Sequence, residues 1–161
     1  MPTQINLNSE QDTISLAQSI APYINRNAII LLYGPLGSGK TFFAKQLCAF
    51  LGVTETTNSP SFVLINRYQA KSFPIYHIDL YRLQDEEEAF QLGIEDFIDE
   101  GVVIIEWPQL LEPLFDNLVS NAPSTTDYQA KYSVLKIEFS YNGENRTALV
   151  SSTRSKIEQI I

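Results

Sequence analysis

The chain has a single cysteine, Cys48, so no disulfide can form within it. Its apolar neighbours make it a packing residue rather than a reactive thiol. Long apolar runs are missing too: the longest, Ala28 to Tyr33, is far too short to cross a bilayer. No charged-then-apolar leader opens the sequence, so the cytoplasm is the expected compartment and no membrane is expected as a partner. Basic charge is scarce. Five arginines and six lysines stand against 19 acids, for a net charge of −8. A chain that gripped RNA by itself would carry a basic face to neutralise phosphates. Any role on nucleic acid is therefore expected to run through a partner that does the holding. There is one histidine, His77, and one tryptophan, Trp107, and core packing would account for either. No repeat or linker divides the 161 residues, which are expected to form one domain with a full α/β core.

What is present centres on Gly34-Pro35-Leu36-Gly37-Ser38-Gly39-Lys40-Thr41, a Gly-x4-Gly-Lys-Thr phosphate-binding loop. Ala28 to Tyr33 before it reads as a buried strand. Phe42 to Leu51 after it has apolar residues at helical spacing, with Gly52 at the C-terminal cap. Strand, glycine loop and helix is the setting the motif requires. Gly37 and Gly39 let the backbone curl and aim successive N–H groups at phosphate oxygens, and the helix N-terminus adds partial positive charge. Lys40 is expected to reach the β- and γ-phosphates, and the Thr41 hydroxyl to ligate magnesium. The chain is thus expected to bind a nucleoside triphosphate.

Around this loop, Ser9 and Asp12 resemble a capping box opening an amphipathic helix over Glu10 to Ile24, on which Thr13 is a candidate adenine contact. Val53 to Pro60 is polar and turn-prone, and a Ser/Thr-rich loop there occupies the place of a nucleotide-sensing switch, though an ordinary loop explains it equally. A strand is expected over Ser61 to Tyr68. Two further strands end in acids, Phe73 to Asp79 and Gly101 to Glu106, with Trp107-Pro108 stopping the second. In an open parallel sheet, ligands bind beyond the C-terminal strand ends, so both carboxylates should face the phosphates and hold magnesium or orient water. Pairing of Asp79 with Arg82 at the surface is the competing reading. Gln84 to Glu88 opens a short helix and Gly93 to Ile98 a second. Pro113 to Asp127 reads as loop. Tyr132 to Phe139 and Asn145 to Val150 form a hairpin about Asn142-Gly143, and Thr153 to Ile160 reads as a short helix. The expected fold is α/β, a three-layer arrangement like that of P-loop NTPases, with a mostly parallel sheet and an antiparallel hairpin edge.

A guanine-reading Asn-Lys-x-Asp motif is absent, which favours adenine. An arginine-bearing lid, usual in small-molecule kinases, has no counterpart. The residues therefore point to a magnesium-dependent ATP hydrolase acting as a switch. A nucleoside or sugar kinase and a non-catalytic nucleotide-binding subunit remain open alternatives.

Taken together, Leu36 to Thr41, Ser59-Pro60-Ser61-Phe62, His77 to Leu83, Leu92 to Asp96 and Glu106-Trp107-Pro108 resemble, in order and spacing, the bacterial TsaE (YjeE) family. The resemblance runs from about the first helix to Trp107. It implies an ATPase needed for threonylcarbamoyladenosine modification of tRNAs that read codons beginning with adenine. In that family the ATPase works with a TsaD–TsaB pair, and tRNA is reached only through those partners. By position, the resemblance implies that Thr41 and Glu106 form the magnesium site, Ser59 to Phe62 the switch loop, and Asp79 a further acid. Ser61 stands where the family usually has threonine, which keeps the hydroxyl and loses the stiffening methyl. Arg146, on the second hairpin strand, is a candidate for the nucleotide pocket. Slow hydrolysis by the isolated chain is expected, because no arginine is an obvious finger.

Overall fold

Ala28–Tyr33 forms β2, the central strand of a seven-stranded sheet ordered β1-β7-β6-β2-β5-β4-β3. The computed structural model describes residues 2–57, 64–120, 131–143, 145–153 and 157. The other strands are β1 (Thr3–Asn6), β3 (Ile65–Gln69), β4 (Pro74–Asp79), β5 (Val102–Glu106), β6 (Ser133–Asn142) and β7 (Asn145–Ser152). β6, β2, β5 and β4 are mutually parallel, while β7 and β3 run against their neighbours and β1 runs against β7. Both faces of β2 are apolar because helices cover both sides of the sheet. Ile30 and Leu32 join a core with residues of α1 (Glu10–Ile20) and α2 (Lys40–Phe50). Ile29 and Leu31 join another with α3 (Glu86–Phe90), α4 (Ile94–Glu100) and α5 (Glu112–Ser120). This is the three-layer, mostly parallel α/β arrangement that the sequence predicts.

Local signals set most boundaries. Ser9 caps α1 in a reciprocal box with Asp12. Past α2, the N–H of Val53 bonds the carbonyl of Cys48 and that of Gly52 bonds Ala49, with Gly52 at φ +93°: a Schellman close. Four expectations are corrected. The first helix stops at Ile20 rather than Ile24, because Pro22 has no N–H for a helical bond and the chain continues as a 3₁₀ turn, Ala21–Tyr23. Pro113 does not open a loop; it sits in the first turn of α5, where a missing N–H costs nothing, and Leu114 and Phe115 pack inward. β3 begins at Ile65 rather than Ser61, since Leu64 is a bend, and residues 61–63 lie outside those described. The hairpin turns at Gly143 as expected, but it is not the last element of the sheet, since β1 pairs along the outer side of β7. Of the expected C-terminal helix only Thr153 and Ile157 are described, and the proposed switch residues Ser59, Pro60, Ser61 and Phe62 lie outside the described residues. Among the described residues no helix is long and apolar enough to cross a membrane.

Candidate active site

The loop from Gly34 to Gly39 turns the chain from β2 into α2 at the C-terminal end of the parallel strands. Gly34, Gly37 and Gly39 have φ of +129°, +76° and +106°, a region that disfavours side chains. At Gly37 and Gly39 an added Cβ would meet nothing within 4 Å, so the demand there is conformational. Gly34 is also sterically required, because a Cβ would fall 2.4 Å from the Phe139 carbonyl oxygen. Gly39 is the N-cap of α2 and offers no side chain, which leaves the first amides of that helix for an outside acceptor. Ser38 is buried, and its Oγ has no hydrogen-bond partner among the described residues.

The side chains of α2's first turn face two strand ends. Lys40 is buried; its Nζ donates to the carbonyls of Gly34 (2.7 Å) and Pro35 (2.9 Å) and lies 4.0 Å from the Trp107 ring centroid. Burial pulls its pKa down, against the opposing pull of Glu106 and Asp79. The Thr41 hydroxyl donates to Oε2 of Glu106 at 2.9 Å. Glu106 ends β5 and Asp79 ends β4, and the parallel register sets the two side by side. Oε1 of Glu106 meets Nε2 of His77 at 2.8 Å. Asp79 accepts from the Tyr81 N–H at 2.9 Å. Burial raises its pKa, the Tyr81 bond opposes this, and the neighbouring Glu106 charge adds to the rise.

Trp107 owes its position to an uncommon backbone. It is one of two non-glycine residues at positive φ among those described (φ +58°), and its N–H bonds the Leu32 carbonyl at 3.2 Å. Pro108 then starts a 3₁₀ turn, and the indole lies over Lys40 and against Tyr81, with ring centroids 4.9 Å apart.

The strand-end acids and the first turn of α2 face a cleft of about 690 Å³. Thr13 from α1 and Arg146 from β7 line it too, and so do Leu36, Gly37, Gly39, Lys40, Thr41, Asp79 and Glu106. The structure thus brings the residues singled out from sequence to one place, apart from the undescribed switch loop. Gly34, Pro35 and Ser38 shape the loop behind the lining. Residues not singled out also contribute: Ser9, Glu10, Tyr81 and Trp107 line the same cleft. Arg82 lines it as well, and no ion pair between Arg82 and Asp79 forms among the described residues. Glu10 carries no sequence signal beyond its place in a helix cap, whereas Trp107 adjoins a candidate acid.

The donor set suits a small hard cation beside phosphate. A hydroxyl and two carboxylates are oxygen ligands, and magnesium commonly takes only one or two carboxylates, filling its shell with phosphate and water. Among the described residues no group of three or more His, Cys, Asp and Glu could hold a metal ion. A buried lysine and an unpartnered Ser38 hydroxyl suit an anion.

The raised Asp79 pKa has a consequence for stability. Burial penalises the ionised form, so the folded-state value lies above the ordinary 3.8 and the charge costs stability at higher pH. Asp79→Asn should therefore raise the Tm of nucleotide-free protein near neutral pH. The gain should shrink as pH falls through the folded-state value toward the ordinary carboxylate range. A thermal-melt series across that range checks it, and an unchanged or lowered Tm near neutrality would contradict it.

The family model described as "Threonylcarbamoyl adenosine biosynthesis protein TsaE" matches residues 7–148. A tRNA threonylcarbamoyladenosine biosynthesis protein TsaE of Rickettsia conorii is 42% identical over 109 residues, 67% of this chain and 62% of the relative. Its Bacillus subtilis counterpart is 37% identical over 103 residues, 63% of this chain and 64% of the relative. The matched stretch thus spans less than two thirds of either relative's own length. The crystal structure of YdiB from Bacillus subtilis superposes with a TM-score of 0.66 at 22% identity, covering 99% of this chain and 93% of that one. This last likeness is one of fold.

Proposed function

The chain belongs to the TsaE family, and from that premise we propose that it is a magnesium-dependent ATP hydrolase serving threonylcarbamoyladenosine modification of tRNA. The observation that carries the catalytic part is the 2.9 Å bond from Thr41 to Glu106, which ties the phosphate-loop helix to the strand-end acid inside the cleft.

In this reading the amides at the start of α2 and the Lys40 ammonium bind the β- and γ-phosphates, with Lys40 exchanging the Gly34 and Pro35 carbonyls for phosphate oxygens. Thr41 and Glu106 would hold magnesium, which when bound neutralises charge on the phosphate oxygens. Asp79 and Glu106 accept hydrogen bonds from water and orient it toward the γ-phosphorus. Water adds there as the bond to the bridging oxygen breaks, giving ADP and phosphate. Trp107 shields Lys40 and keeps its charge directed at the loop. Thr13 and Arg146, at the far elements of the cleft, are placed to contact the rest of the nucleotide.

The net charge of −8 argues that tRNA is held elsewhere, by a TsaD–TsaB pair on which this chain acts as a nucleotide switch. The segment 59–62 would sense the γ-phosphate. Turnover by the purified chain should be slow and rise at least about tenfold when the TsaD–TsaB pair is added, since partner-supplied transition-state contacts commonly give far more. Rapid hydrolysis by the chain alone, unchanged by the pair, would refute the switch. ATP consumption stimulated by a small acceptor, with a phosphorylated product, would point to a kinase instead.

A further inference from the structure

His77 has no part in the chemistry described so far, yet among the described residues it makes one of the two side-chain hydrogen bonds to Glu106. It lies in the middle of β4, fully buried, on the face that carries Ile75 and Asp79. In the parallel register its direct partner on β5 is Ile104, so the imidazole reaches one step diagonally to Glu106. Its neighbours on these strands, Ile75, Ile78, Ile104 and Ile105, are apolar and fully buried. An aliphatic side chain would suit packing there better, because Nδ1 of His77 is buried with no partner among the described residues. Among the described residues, the one side-chain bond that justifies a polar group goes to the site carboxylate. Against a carboxylate oxygen, Nε2 must carry the hydrogen, and the Thr41 hydroxyl takes the other oxygen.

We propose that His77 is a positioning residue: its Nε2–H holds Oε1 of Glu106 so that Oε2 stays on the Thr41 hydroxyl and the carboxylate faces the cleft in one orientation. The assignment deepens the ATPase reading and rests on it. His77 is not among the residues that line the cleft. It acts through Glu106, in the way that hydrogen-bonded partners behind a ligating group fix its direction.

The test compares wild type, His77→Leu and His77→Gln in two assays. One measures kcat and KM for ATP across magnesium concentrations; the other measures the Tm shift that magnesium causes in ADP-bound protein. His77→Leu should lose about tenfold or more in kcat, the lower end for losing such a supporting bond, with little change in KM, and should need more magnesium for its Tm shift. His77→Gln, whose side-chain amide can place a donor near the same point, should recover most of both. A role in packing alone would lower Tm in both variants and leave kcat and the magnesium response untouched. That result, or a glutamine variant as impaired as leucine, overturns the proposal. Should His77→Leu fail to fold, imidazole nitrogen NMR of the wild type still decides: hydrogen on Nε2 supports the assignment and a bare Nε2 overturns it. A wild type with neither turnover nor a magnesium-dependent shift would instead defeat the ATPase reading, and the His77 assignment with it.

Discussion

Replacing Glu106 by glutamine is expected to lower ATP turnover by about two to three orders of magnitude, the range of a positioned acid or base. Nucleotide binding without magnesium should change only a few-fold. Glutamine keeps the shape and an oxygen for the Thr41 hydroxyl, but it removes the charge and sets an amide against one of two donors, Thr41 and His77. Lysine and the loop amides are untouched, so phosphate binding survives. Phosphate release and nucleotide titration on the same preparation read the two effects separately. Unchanged turnover in Glu106→Gln would sink the catalytic role of Glu106, and is what a non-catalytic nucleotide-binding subunit predicts. Loss of tRNA modification in Glu106→Ala, with ATP still bound, would count against both that reading and a kinase.

Gly34→Ala is expected to damage the protein itself. A backbone at φ +129° is costly for any residue with a side chain, by roughly 1–3 kcal/mol. The new methyl would also lie 2.4 Å from the Phe139 carbonyl oxygen and 2.9 Å from Ser38 Oγ. Overpacking adds about 1–3 kcal/mol, because β6 and the loop must move apart. The sum, on the order of 2–6 kcal/mol, should lower Tm by about 10 °C in a chain of this size. Gly37→Ala supplies the control, since an added Cβ there meets nothing and only the backbone cost applies. Equal melting temperatures for the two variants would mean that the approach of loop to β6 is not what makes glycine necessary at position 34.

The elements legible from sequence are those whose signals are local. The glycine pattern, the apolar run of β2, the Ser9–Asp12 box and the Gly52 close each lie within a few residues of the structure they specify. Asp79 and Glu106 were legible because each ends a strand, and parallel pairing then sets them side by side. What was not legible depends on distant partners. β1 is four residues of alternating exposure with no distinctive pattern, and its place comes from pairing with β7. α5 was hidden because a proline reads as a breaker unless it is known to stand in a first turn. The bond between His77 and Glu106 spans 29 positions and depends on strand register, as does the arrival of Thr13 and Arg146 at one cleft from opposite ends of the chain. Trp107 reaches Lys40 only because its backbone takes a left-handed turn that nothing in Trp-Pro announces.

The most direct measurement is a crystal structure of the purified chain with magnesium and a non-hydrolysable ATP analogue at saturating concentration. The triphosphate should lie along Gly34 to Thr41, with Lys40 turned from the loop carbonyls onto its terminal oxygens and magnesium bound at the Thr41 hydroxyl beside Glu106. An analogue seated elsewhere, or a cleft that stays empty with Lys40 still on Gly34 and Pro35, would contradict the account.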